Sequence, residues 1–269
     1  MTAGPPVALT IAGTDSGGGA GVAADLKTFE AHGVWGTCAI VAVTAQNTTG
    51  VQWIETVSPA AAAAQISSVA SDIAVDAAKT GMLASAELVR AVAGAIRDAR
   101  IPRLVVDPVL VSKHGNPLLA DDAVDTLRDD LLPLASVVTP NLPEAARLVG
   151  FDVAGRQAME AAGRALVAMG PAVAMVKGGH LGGNSSPDCL VVAGATEAVW
   201  LEAPRSPACH THGTGCVLSA AICAELARGM DPADACVAAR HFCSRAIAAG
   251  LALGTGVGPV NPGWERAAR

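Results

Sequence analysis

Short apolar runs separated by longer helical patterns recur along this chain, and that alternation constrains its fold more than any other feature. Val7 to Ile11, Cys38 to Thr44, Ile73 to Ala78, Leu104 to Asp107, Ser136 to Thr139 and Ala172 to Lys177 read as short strands, and Val51 to Val57 alternates like one. Helical patterns cover Ala23 to His32, a stretch opened by Pro59 at its first turn, and 85–99, 121–131, 143–149 and 156–169. Strands that are apolar throughout, alternating with helices, predict a parallel sheet covered on both faces. The tail differs, because 215–228 and 232–249 read as two consecutive helices. No linker, charge block or long repeat interrupts the pattern, so a single domain over 1–269 is expected.

Composition narrows the class. Hydrophobic residues make up 51% and charged residues 16%, which is too apolar and too weakly charged for a disordered chain. A formal charge of -6 argues against a sequence-independent nucleic-acid binder. The seven cysteines form no C-x-x-C pair and read as reduced thiols of a cytoplasmic protein. Met1 to Pro6 carry no Lys or Arg, so no secretory signal is expected. No segment approaches the roughly 20 uninterrupted apolar residues of a membrane span.

Open α/β sheets bind ligands beyond the carboxyl ends of their strands. Six polar clusters fall at such ends: Gly13-Thr14-Asp15, Thr44-Ala45-Gln46-Asn47, Lys79-Thr80-Gly81-Met82, Asp107-Pro108, Thr139-Pro140-Asn141 and Lys177-Gly178-Gly179-His180. The strongest local signal is His212-Gly213-Thr214-Gly215-Cys216 before the apolar helix Val217 to Ala227. Two glycines let backbone approach a ligand, and a helix start offers unpaired N–H groups to an anion such as a phosphoryl group. In that first turn the Cys216 thiol pKa is expected to fall, which would let the thiol accept a proton. A Gly-rich helix entry with a small buried Cys is the plainer alternative. Cys209, His210, His212 and Cys216 fit no common zinc spacing. Neither G-x-x-x-x-G-K-[ST] nor G-x-G-x-x-G occurs, which disfavours a Walker-type NTPase and a dinucleotide dehydrogenase.

Other side chains have two readings each. Asp25 is either a ligand for a substrate donor or a surface carboxylate. The Gln46 amide offers a donor beside an acceptor, which suits an aminopyrimidine edge, or it caps a turn. Asn141 and Glu144 stand three apart at a helix start, as a capping pair or as groups ordering water around Mg²⁺. Asp107 would add a second carboxylate there. Lys177 either meets a phosphate or reaches solvent.

Taken in order, these clusters with Gly19-Ala20-Gly21 and Ala24-Asp25-Leu26-Lys27-Thr28 resemble one family, the hydroxymethylpyrimidine/phosphomethylpyrimidine kinases of thiamine biosynthesis. The resemblance runs from about Val7 to Pro262. It implies a ribokinase-like three-layer α/β/α sandwich with a mainly parallel central sheet, and ATP with Mg²⁺. It implies two phosphorylations of 4-amino-5-hydroxymethyl-2-methylpyrimidine, to the monophosphate and then the diphosphate. By the same resemblance Gln46 and Asp25 would bind the pyrimidine with Gly13, Met82 and Val109 nearby. Gly213, Gly215 and Cys216 would form the anion hole. Lys177, Thr214 and Asn141 would face the nucleotide, and Asp107 and Glu144 the metal. Where the family often reads D-P-S-G-G-A-G, this chain has Asp15-Ser16-Gly17-Gly18-Gly19-Ala20-Gly21, which keeps the backbone role of the loop. A pyridoxal kinase on the same fold and a catalytically silent pyrimidine-binding regulator stay open as alternatives. Expected partners are the aminopyrimidine and ATP, with no nucleic acid and no membrane. The oligomeric state is open, a homodimer included.

Overall fold

The computed structural model describes residues 4–110 and 121–267. In chain order the elements are β1 (Val7–Gly13), α1 (Gly21–Ala31), β2 (Trp35–Asn47), β3 (Gly50–Thr56), α2 (Pro59–Asp72), β4 (Ala77–Thr80), α3 (Ala86–Asp98), β5 (Leu104–Val106) and α4 (Asp121–Thr126). There follow β6 (Val137–Val138), α5 (Leu142–Val149), α6 (Arg156–Val167), β7 (Val173–Val176), β8 (Asp188–Val192), β9 (Val199–Leu201), α7 (Thr214–Ala227), α8 (Pro232–Ala248) and α9 (Trp264–Ala267). The strands form one nine-stranded sheet in the order β3-β2-β1-β4-β5-β6-β7-β8-β9. From β2 to β7 the neighbours are parallel, and the pairings of β3, β8 and β9 are antiparallel. Connection length explains the split. A short turn at Thr48 and Thr49 can only reverse the chain into a hairpin, whereas helical crossovers return it parallel.

Strand side chains alternate between two cores, as a period of two requires. Leu9, Ile11, Leu104, Val106 and Val138 face the layer of α2, α3, α5 and α6. Ala8, Ala77, Val105, Val137 and Val173 face α1, α7 and α8. Both faces of the central strands are therefore dry, which is why these strands read as unbroken apolar runs. Helix starts carry local caps. Ser58 accepts from the Ala61 N–H ahead of Pro59, and Asp231 accepts from the Ala233 N–H ahead of α8.

Sequence expectations and structure differ in three places. The strand expected over Ile73 to Ala78 begins at Ala77, because Ile73 still caps α2 through its N–H to Val69. The helix expected over 121–131 changes hydrogen bonding at Leu127, where a π turn runs to Leu131 and a short 3₁₀ turn follows to Leu134. Strands β8 and β9 lie outside the expected strands: β9 has only three residues, and the short apolar run of β8 follows a polar, Gly-rich loop over 178–187. Among the described residues no helix is long and apolar enough to cross a membrane.

Two helical glycines make opposite predictions. In α3, Gly94 has nothing within 4 Å of a would-be Cβ, so Gly94→Ala should stabilise by up to about 1 kcal/mol through helix propensity. In α6, a Cβ at Gly163 would sit 2.5 Å from Val191 on β8. The overpacking cost of about 1–3 kcal/mol should exceed the propensity gain, so Gly163→Ala should unfold at lower urea concentration than the parent.

Candidate active site

All six polar clusters stand at the carboxyl ends of parallel strands, where the glycine-rich loop after β1 meets the start of α7. Asp15 builds that loop. Its carboxylate is 4% exposed and accepts from the N–H groups of Gly17 (2.8 Å), Gly19 (3.1 Å) and Ala20 (2.9 Å). It also meets His212 Nε2 at 2.8 Å, which ties the loop to the segment entering α7. Burial raises the Asp15 pKa, but the His212 contact and the loop N–H groups outweigh it and hold the carboxyl below its ordinary value. The two segments touch through backbone. Gly213 has φ +79°, and a Cβ there would lie 1.8 Å from the Gly19 carbonyl oxygen. Only glycine satisfies both demands.

Gln46 ends β2. Its backbone is clamped by Ser16, whose Oγ accepts from the Gln46 N–H and donates to the Gln46 carbonyl, both at 2.8 Å. Its amide reaches to 3.4 Å from His212 Nε2, four residues before Cys216. Gly13 and Met82 adjoin each other, since a Cβ on Gly13 would come within 2.8 Å of Met82 Cε. Val109 is half-buried, and its N–H donates to the Asp107 carbonyl at 2.8 Å. Asp25 departs from its expected place. It is fully buried, receives Lys79 Nζ at 2.8 Å and the Thr10 hydroxyl at 2.6 Å, and exposes no surface to a ligand. Its register explains this, because α1 packs on the sheet and turns Asp25 inward onto Thr10 and Lys79, which are paired across β1 and β4.

The other half of the site gathers charge. Asp107 Oδ1 takes hydrogen bonds from Lys177 Nζ and Thr139 Oγ1, each at 3.2 Å, and Oδ2 takes one from Ser219 Oγ at 3.2 Å. A Cβ on Gly215 would lie 3.6 Å from both Asp107 Oδ2 and Lys177 Nζ, so this pair flanks the first turn of α7. Burial raises the Asp107 pKa, but Lys177 and Lys79 overcome it and hold the carboxyl low. Burial likewise works against the Lys177 charge, and Asp107 and Glu144 more than restore it. Asn141 and Glu144 form a reciprocal capping box at α5, with bonds of 2.9 and 2.8 Å. Glu144 is nonetheless pushed up to about 7, first by burial and then by the Asp107 charge, against the pull of Lys177. Thr214 spends its hydroxyl on the Thr211 carbonyl at 2.8 Å.

Cys216 overturns one expectation. It sits in the first turn of α7, where its sulfur accepts from the Gly21 N–H at 3.4 Å. Its pKa does not fall. Burial pushes the thiol up to about 11, with Asp25 and Asp107 adding to the rise and Lys79 opposing it. A helix start favours a thiolate, but desolvation and two nearby carboxylates cost more here. Among the described residues no group of three or more His, Cys, Asp or Glu side chains could hold a metal, so Cys209, His210, His212 and Cys216 form no such centre. A cavity of about 280 Å³ lies behind the glycine loop, lined by Lys27, Leu251 and Pro259, and none of the strand-end polar residues reaches it.

Sequence reasoning did not single out Asp15, Lys79, Thr139 or Ser219. Asp15 and Lys79 lay inside recognised clusters, and a charge directly after or within an apolar strand was the available signal. Ser219 lies one turn beyond Cys216 in an apolar helix, and nothing in the sequence marks it.

A mainly parallel sheet between two helical layers, with a glycine-lined helix start at its carboxyl edge, defines the class of ribokinase-like small-molecule kinases. Residues 15–261 match the family model described as phosphomethylpyrimidine kinase. The chain belongs to that family. It is 48% identical over 260 residues to the hydroxymethylpyrimidine/phosphomethylpyrimidine kinase of Streptomyces coelicolor, covering 97% of this chain and 95% of the relative. It is 47% identical to the Escherichia coli enzyme of the same name over 257 residues, covering 94% and 96%. Among solved structures, an ADP complex of Bacillus subtilis pyridoxal kinase aligns at TM-score 0.90 and 36% identity, covering 98% of this chain and 99% of that one. Phosphomethylpyrimidine kinase from Clostridium difficile aligns at TM-score 0.79 and 37% identity, covering 90% and 99%.

The buried carboxylates set a pH prediction. Because the folded Glu144 pKa of about 7 lies above its ordinary 4.5, the folded chain holds that proton more tightly than the unfolded chain. Its ionisation therefore costs stability progressively as pH rises from about 4.5 to about 7. Glu144→Gln removes the charge and keeps an oxygen for the Asn141 N–H. Its melting temperature relative to the parent should rise between pH 5 and pH 8, as thermal unfolding at both pH values will read.

Proposed function

We propose that this chain transfers the γ-phosphoryl group of ATP to the hydroxymethyl oxygen of 4-amino-5-hydroxymethyl-2-methylpyrimidine, and a second one to the resulting monophosphate. The family supports the reaction, and the observation that carries it to this site is the junction of Gly213, Gly215 and Cys216 with Asp107 and Lys177. Backbone N–H groups at the start of α7 point at a negative charge that grows as the phosphoryl group moves. Gly215 has no side chain to block them, and Lys177 adds a fixed positive charge beside them. Because phosphoryl transfer demands little of the protein beyond placement and charge, such a nest can supply most of the catalysis. Related pyridoxal kinases were crystallised with ADP and AMP-PCP, which supports ATP as donor.

Mg²⁺ fits the donor set. Asp107 and Glu144 are two buried carboxylates close enough to raise the Glu144 pKa, and a cation held between them, directly or through water, would relieve that repulsion. There it would supply positive charge to neutralise the phosphates. Thr214 and Asn141 would flank the nucleotide through backbone, since their side chains are already hydrogen-bonded within the protein.

At the other end Gln46 would read the ring, with Gly13, Met82 and Val109 bounding it. Asp25 would act from below, holding Lys79 and α1 in place rather than touching the ring. The proton leaves the hydroxyl as the new P–O bond forms. The thiolate form of Cys216, itself part of the anion hole, would take that proton, and Lys79 is the charge that would favour this form.

The defining assay supplies the aminopyrimidine, ATP and Mg²⁺ and follows monophosphate and then diphosphate. Absence of product at saturation overturns the proposal. Pyridoxal belongs in the same assay, because the pyridoxal kinase of B. subtilis superposes so closely. A larger kcat/KM for pyridoxal would transfer the proposal to that substrate. Gln46→Leu should raise KM for the pyrimidine by roughly tenfold or more and leave KM for ATP unchanged, because it strips the ring edge of its hydrogen bonds. Cys216→Ala should lower kcat at least about tenfold with little change in either KM, and a loss in the range of about 10²–10⁴ would mark a general base.

A further inference from the structure

Gln46 lies between two neighbours whose other hydrogen bonds leave each a single role. His212 Nε2 sits 2.8 Å from Asp15 Oδ2. Asp15 is an ionised acceptor, so the nitrogen facing it must carry a proton. A protonated ring nitrogen has no in-plane lone pair left, and the Gln46 amide atom 3.4 Å from it can only accept. On the other side, Thr44 Oγ1 donates its one proton to the Thr14 carbonyl at 2.9 Å. The remaining amide atom of Gln46 lies 3.5 Å from that oxygen, which can now only accept. Nε2 toward His212 and Oε1 toward Thr44 would set donor against donor and acceptor against acceptor. Turning the amide over cures both contacts at once. The two ends of an amide have nearly the same shape and are assigned from their hydrogen bonds, and here two independent neighbours assign the same orientation.

We infer that His212 and Thr44 act as positioning residues that lock the Gln46 amide, Oε1 toward His212 and NH₂ toward Thr44, and so fix the polarity with which the site reads its substrate. The substrate part of this inference rests on the pyrimidine-kinase function proposed above. In the aminopyrimidine, ring nitrogen, amino-bearing carbon and hydroxymethyl-bearing carbon follow one another. The amino group donates to Oε1, and the ring nitrogen accepts from the NH₂. Passing from the Thr44 side to the His212 side, the ring then presents nitrogen, amino group and hydroxymethyl group in that order. His212 immediately precedes Gly213, which caps α7. The orientation that satisfies the amide therefore delivers the hydroxyl to the anion hole, and the reversed amide would turn it away. Ser16 contributes by clamping the Gln46 backbone, so the amide pivots only about its own side chain.

Two measurements test this. In the ligand-free protein, ¹⁵N NMR of the His212 ring should show Nε2 protonated, and a bare Nε2 would overturn the inference whatever the substrate. In the second, kcat/KM is compared for the aminopyrimidine and its 4-oxo counterpart, whose ring N–H and carbonyl present the opposite polarity. The parent should prefer the amino compound by about 10²-fold or more, as sites built around hydrogen bonds do. In Thr44→Val and His212→Leu that preference should shrink at least about tenfold while KM for ATP holds. Thr44→Val keeps the shape of β2, so it reads the amide even if His212→Leu loosens the glycine loop. An undiminished preference in both variants would refute the locking role. A parent that phosphorylates neither compound would refute the proposed function instead, and the NMR result would still decide the amide.

Discussion

The carboxylate of Asp15 is the interaction on which the site depends. It collects three loop N–H groups and the His212 ring, and so joins a loop near the amino terminus to a helix start roughly 200 residues later. Those N–H groups come from a glycine-rich turn that would otherwise pay heavily in entropy to hold one shape. Once it is held, Gly19 can meet Gly213 at backbone distance, Gly21 can donate to Cys216, and His212 can face Gln46. Without the carboxylate the same residues would be separate loops.

Beneath that junction lies a layer of buried charge that balances itself. Lys79 pairs with Asp25, and Lys177 pairs with Asp107 at the edge of the first turn of α7. Such pairs contribute little to stability on their own, because desolvation cancels much of their attraction. Their value here is placement. They hold α1, β4, β5 and β7 in a common frame around the first turn of α7, and burial still raises the pKa of both Asp25 and Glu144. Burial raises the Cys216 pKa first, and Asp25 and Asp107 of this layer add to the rise against the pull of Lys79.

The strands were legible in part and the candidate site in outline. Apolar runs at 7–11, 104–107 and 172–177 found their strands because both faces of those strands are buried, which makes burial visible in every residue. β9 escaped because its three half-exposed residues at the sheet edge carry no such run, whereas the buried run of β8, Cys189 to Val191, was present in the sequence behind a polar, Gly-rich loop. Asn141 and Glu144 were legible as a capping pair from spacing alone, since capping is local. Asp25 was misjudged because a helical carboxylate looks the same in sequence whether it faces solvent or a buried lysine on a strand 54 positions away.

The sequence by itself determined what is local or periodic: strands and helices, their alternation, the glycines at 213 and 215, and the family to which the chain belongs. Only the tertiary structure decided which charges meet. Asp15 with His212, Asp25 with Lys79, and Asp107 with Lys177 and Ser219 are each brought together by sheet order and helix packing rather than by spacing. That burial raises the Cys216 thiol pKa where its helix start alone would lower it was decided there too. Desolvation and long-range charge depend on what surrounds a group in space, and no stretch of sequence contains that neighbourhood.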